Sequence, residues 1–121
     1  MKEEDKQLLL KDLCARLPYG VMVEVSNEKY FGEIKEPYIT ELRYCLYLLD
    51  DDSVCIKPYL RRLSTMTDEE REYMEELSEF KCTPDKATRK IDFYLERHLD
   101  FRGLIEKGLA LEAPEGMYEN D

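Results

Sequence analysis

The residues in this chain best equipped for chemistry are a lone imidazole, four thiols and two sets of charged side chains. His98 is the only histidine, two residues before Asp100 and sixteen beyond Cys82. An imidazole so placed can act as a general base toward a thiol or a water while an acid orients it. No serine or cysteine motif presents a nucleophile to it, and a histidine near a helix C-terminus is favoured in its charged form by the helix dipole. His98 is therefore expected at the surface or its boundary. The cysteines stand at positions 14, 45, 55 and 82 with no CxxC pair, whereas zinc sites draw their ligands in close pairs. Asp50-Asp51-Asp52-Ser53 offers oxygens to a hard cation but lacks the spacing and glycine of a calcium loop, and reads as a turn. Neither a catalytic residue, a cofactor nor a metal is expected.

The charged sets support two binding readings. Asp68, Glu69, Glu72, Glu75, Glu76 and Glu79 belong to a stretch, residues 67–82, with seven acids against two basic residues. Such a run is ordinarily a solvated helix face. Its sharper reading is a docking surface for a basic protein, including one that otherwise holds DNA, because complementary charge steers association. Arg61, Arg62, Arg97 and Arg102 form the second set. Guanidinium forks suit phosphate, so these arginines are candidates for a nucleotide-like anion; the competing reading pairs them with the acidic helix. Tyr30, Tyr38, Tyr44, Tyr47 and Tyr59 concentrate where strands are expected. Strand propensity and core packing account for them, and any exposed ones are suited to an interface.

Composition narrows the field. The 121 residues carry a net charge of −10, with 38% charged and 43% hydrophobic side chains, which fits one globular domain with a highly solvated surface. Phosphate backbones repel such a surface, and no lysine–arginine stripe offsets it, so direct nucleic-acid binding is not expected. The opening MKEEDKQLLLKD has neither the apolar run nor the charge pattern of a signal peptide or membrane anchor. The expected setting is the cytoplasm, with reduced thiols.

The elements that must position these residues read as an α+β domain. Leu9, Leu10, Leu13, Cys14 and Leu17 gather on one stripe of a helix over about 2–17, which makes Cys14 a core residue. Val21, Val23 and Val25 alternate with polar neighbours as a half-buried strand. A second strand is expected around Tyr30–Ile34, a third over Ile39–Leu49 with both faces apolar and hence central, and a fourth over Val54–Pro58. Short connections favour a four-stranded antiparallel meander, with an SH3-like curl as a variant. Thr67-Asp68-Glu69-Glu70 has capping-box spacing and opens a helix over 68–80 with Tyr73, Met74, Leu77 and Phe80 on its apolar side. Thr83-Pro84 opens the next, over 84–99, lined by Ala87, Ile91, Tyr94, Leu95 and Leu99. Asp100 can cap a short helix over 101–107 that Gly108 ends, and 109–121 reads as an extended, frayed tail. The helices are expected to cover one face of the sheet.

The segment from His98 to Pro114 (HLDFRGLIEKGLALEAP) resembles a family of small proteins from gut Bacteroidales and their phages and integrated elements. Leu8–Gly20, Ile56-Lys57-Pro58-Tyr59-Leu60-Arg61 and Ser64–Glu70 resemble it too, while 26–55 match it least. The family brings no assigned activity and no functional residue. The resemblance implies only a bacterial or phage cytoplasmic setting. The residues themselves favour a non-catalytic protein-binding accessory or regulatory factor, with an anion-sequestering protein as the alternative.

Overall fold

A computed structural model describes residues 2–27, 37–49, 54–78 and 83–118. Helix α1 spans Glu3–Arg16, strand β1 Met22–Asn27, β2 Tyr38–Glu41, β3 Val54–Leu60, helix α2 Asp68–Ser78, α3 Pro84–Glu96 and β4 Leu111–Glu112. The class is α+β, as the patterning predicts. The sheet is mixed rather than an antiparallel meander, in the order β2-β1-β3-β4. β1 is antiparallel to both β2 and β3, and β4 runs parallel to β3. A two-residue strand leaves almost no periodicity in the sequence, which is why the tail read as unpaired. The expected strand over 30–34 lies outside the described residues.

The third expected strand is the largest departure. Only Tyr38–Glu41 is extended; Leu42–Tyr44 and Leu46–Leu48 are single turns of 3-10 helix. Leu42 and Cys45, three residues apart, are buried, while Tyr44, Leu46 and Tyr47 face solvent. That three-residue spacing is the 3-10 period. An alternation of apolar residues does not separate it from a two-sided strand. Among the described residues β2 ends the strand order rather than sitting at its centre.

The main core joins Leu9 and Leu13 of α1 to Val21, Val23 and Val25, with Ile56, Leu60, Leu104 and Leu109 closing it. A second cluster, Met74, Leu77, Phe93 and Leu99, sits between α2 and α3. The α1 stripe is rotated from its expected position. Its buried residues are Leu9, Asp12, Leu13 and Arg16, spaced i, i+3, i+4 and i+7, while Leu10 and Cys14 are exposed. Cys14 is therefore a surface thiol, because two charged residues take the inner face in its place.

Helix starts follow the expected chemistry. Glu70 N–H donates to Thr67 Oγ1 at 3.2 Å, and Thr67 N–H donates to Glu70 Oε1 at 2.8 Å, the reciprocal capping box. Thr83 Oγ1 accepts from Lys86 N–H with Pro84 in the first turn. The α3 helix stops at Glu96, short of the expected Leu99. His98 takes φ of 58°, and Leu99 N–H and His98 N–H donate back to Tyr94 and Leu95 carbonyls at 2.9 and 3.2 Å. This is the Schellman pattern, with histidine where glycine is usual. Residues 101–107 form turns rather than a helix. Asp100 still caps them, its Oδ1 and Oδ2 accepting from Leu104 and Ile105 N–H at 2.8 and 3.0 Å. Gly108, at φ of 75°, closes them.

Candidate functional site

The arginine set does not form one patch. Arg61 continues the line of β3, its N–H donating to His98 O at 2.7 Å while its carbonyl accepts from Asp100 N–H at 2.8 Å. Its guanidinium forks onto Glu70 at 2.8 and 3.1 Å and also reaches Thr65 O. Burial works to raise the Glu70 pKa, but the hydrogen bonds from Arg61 and the Thr67 backbone outweigh it, and the net direction is down. Arg62 pairs with Glu112 at 3.2 Å. Arg97 is exposed and lies over the Phe93 ring at 5.5 Å. Arg102 points elsewhere, to Asp12 at 3.3 Å and over Phe101 at 4.7 Å. The Arg61–Glu70 fork is the pairing with the acidic helix that the sequence raised as the alternative to an anion site.

Arg61, Arg62 and Arg97 line a groove of about 1030 Å³ between the α2–α3 pair and the tail. Its floor carries Tyr73 and Phe93, whose ring centroids are 4.8 Å apart. Glu69, Glu70, Glu96, Glu112 and Glu115 also line it. Five carboxylates against three guanidinium groups leave this groove negative, with Arg97 the lining arginine that has no carboxylate partner among the described residues.

His98 is buried, not at the surface. It stacks on Tyr118 with centroids 3.7 Å apart and planes 16° from parallel. Burial, then the nearby Arg16 and Arg61 charges, push its pKa down to about 4, so the helix-dipole effect expected to favour its charged form is overridden. Tyr118 is fixed in turn. Its hydroxyl accepts from Met22 N–H at 2.8 Å and donates to Tyr59 O at 2.7 Å, and burial pushes its pKa up. The hydroxyl is thus committed to backbone, and the ring pair fastens the tail to β1 and β3. The thiol of Cys82 lies outside the described residues, as does Asp50–Ser53. Among the described residues no three metal-ligating groups cluster, and no helix is long and apolar enough to cross a membrane.

Two residues that sequence reasoning passed over hold the centre of the molecule. Arg16 and Asp12 are both fully buried, with Arg16 Nε donating to Asp12 Oδ2 at 2.7 Å and Nη2 to Leu99 O at 2.7 Å. The signal was available as an Asp–Arg pair at i, i+4 in phase with Leu9 and Leu13.

The acidic set is where the sequence places it. Asp68, Glu69, Glu72, Glu75 and Glu76 are all exposed on α2, and none has an ion-pair partner among the described residues; Glu79 lies outside them. The tyrosines divide. Tyr59 is buried, its hydroxyl donating to Glu24 at 3.4 Å, and Tyr30 is outside the described residues. Around the β2 edge, Tyr47 is 77% exposed, Tyr44 63%, Ile39 52%, Tyr38 46% and Leu46 40%. Five large apolar side chains within ten residues of sequence are thus exposed. No family model matches the chain, and no curated protein or solved structure matches it either.

Proposed function

We propose that this chain is a non-catalytic protein-binding module, an accessory or regulatory factor that docks through the β2 edge. The observation that carries this reading is the exposed group of Tyr38, Ile39, Tyr44, Leu46 and Tyr47. Tyrosines supply large, amphipathic contact area and are enriched at binding hot spots. The net charge of −10 and the unpaired acids of α2 favour a basic partner through steering. In the bacterial or phage setting that the resemblance implies, such a partner is another cytoplasmic protein. The alternative, a nucleotide-like anion, has weaker support, since Arg61 and Arg62 are paired with carboxylates and Arg102 points away from the groove.

Photo-crosslinking tests the reading. A benzophenone side chain at position 47 or 44 should trap one protein that the same group at Lys11, on exposed α1, does not. The Tyr44→Ala/Tyr47→Ala variant should lose that product. Equal labelling from position 11 would refute the proposal.

A further inference from the structure

The groove between the α2–α3 pair and the tail has a different composition from the β2 edge, and its charges specify what it can hold. From the connector come Arg61 and Arg62, from α2 Glu69 and Glu70, from the end of α3 Glu96 and its C-cap Arg97, and from the tail Glu112 and Glu115. Two internal pairs, Arg61 with Glu70 and Arg62 with Glu112, neutralise half of them. Glu69, Glu96 and Glu115 remain against Arg97, and all four are exposed. The groove is therefore an acidic rim around an aromatic floor of Tyr73 and Phe93. Arg97 covers the Phe93 ring, which is otherwise buried, so the exposed part of this floor is Tyr73. Tyr118 at the tail end is fixed by its hydrogen bonds and the His98 stack, which gives the groove a preformed wall.

From this complementarity we infer that the groove binds an extended segment of a partner protein in which lysine or arginine alternates with apolar residues. The cations meet Glu69, Glu96 and Glu115, and an apolar side chain rests on the exposed Tyr73 ring. Charge brings the segment in, and the aromatic floor distinguishes it from a merely basic chain. A phosphate or nucleotide is the wrong ligand here, because three carboxylates without an arginine partner line the groove against one such arginine. The inference shares with the protein-binding reading only the class of partner, and it uses a separate surface.

The test uses the full chain at physiological salt with three fluorescein-labelled eight-residue peptides. One alternates lysine and leucine, one lysine and glycine, and one aspartate and leucine. Fluorescence polarisation should rank lysine–leucine first, at least about fivefold tighter than lysine–glycine, with aspartate–leucine not bound. Glu96→Lys/Glu115→Lys should weaken the first peptide at least about tenfold, and Tyr73→Ala should remove its preference over lysine–glycine. Tyr44→Ala/Tyr47→Ala should leave it unchanged, so failure of the β2-edge proposal and failure of this one are told apart. Amide shifts on adding the peptide should centre on Glu69, Tyr73, Glu96 and Glu115. Shifts centred on Glu72, Glu75 and Glu76, equal binding of the two lysine peptides, or perturbation of Arg97 by inorganic phosphate alone would each overturn the inference.

Discussion

Replacing His98 by asparagine should flatten the acid limb of this protein's stability curve. The imidazole titrates near 6.5 when unfolded and at about 4 when folded. Between those values the unfolded chain binds more protons than the folded one, so stability falls as pH drops through the window. The contribution is intact above about pH 6.5 and lost progressively toward pH 4. At about 1.4 kcal/mol per pH unit the full shift corresponds to about 3.4 kcal/mol. Solvent screening at the edge of the ring reduces the expected loss to about 2 kcal/mol. Asparagine is the informative substitute because it tolerates the left-handed backbone that His98 adopts. Urea unfolding at pH 7, 6, 5 and 4 measures both proteins. The variant starts lower, having lost the stack on Tyr118, but the gap should shrink by about 2 kcal/mol between pH 7 and pH 4. Glu70, whose lowered pKa acts in the same direction below its ordinary value of 4.5, contributes equally to both curves and cancels. Parallel curves would refute the assignment of a neutral, buried imidazole, as would an imidazole proton resonance titrating near 6.5.

Arg16→Met should cost about 3 kcal/mol in urea midpoint analysis, because it breaks a fully buried ion pair and leaves Asp12 with only the longer contact to Arg102; Asp12→Leu/Arg16→Met should cost less than that single change. Thr67→Val removes the hydroxyl of the capping box and should lower stability by about 1 kcal/mol, read from the same midpoints. Tyr118→Phe leaves the Met22 N–H without its 2.8 Å acceptor; a loss of about 1–3 kcal/mol and faster proteolysis within 109–118 are expected. Gly108→Ala meets nothing within 4 Å, so its cost should be backbone strain alone, about 1–2 kcal/mol, visible as a lower melting temperature.

The parts of this fold that sequence made legible are those governed by local rules. The Val21–Val25 alternation, the Thr67 capping box and the Thr83-Pro84 helix start each follow from a few adjacent residues, and each is where the pattern puts it. Features that depend on distant partners were misread. Asp12 and Arg16 drew no reading because charged residues are rarely buried, yet they pair with each other in the core and Arg16 also reaches Leu99 O. His98 looked like an exposed helix end because nothing nearby in sequence announces Tyr118 stacked on it. The tail looked frayed because its anchorage, one short parallel pairing and one phenol, is invisible to periodicity. Residues 38–48 misled in another way, since their spacing serves a strand or a 3-10 turn equally. The acidic helix face was legible at once. The groove beside it was not, because its walls come from three separated segments.

The Tyr118 hydroxyl meets the Met22 amide across a sequence separation of 96 residues. Loop entropy grows only logarithmically, so closing so long a circuit costs about 1.2 kcal/mol more than closing one a quarter its length. The penalty is modest in equilibrium terms and decisive in time. Helices α1, α2 and α3 draw on neighbours and can form early, whereas the phenol finds its socket only after β1 and β3 have aligned to create it. Fastening of the tail thus requires the β1–β3 pair, so one wall of the groove reports whether the sheet beneath it is intact.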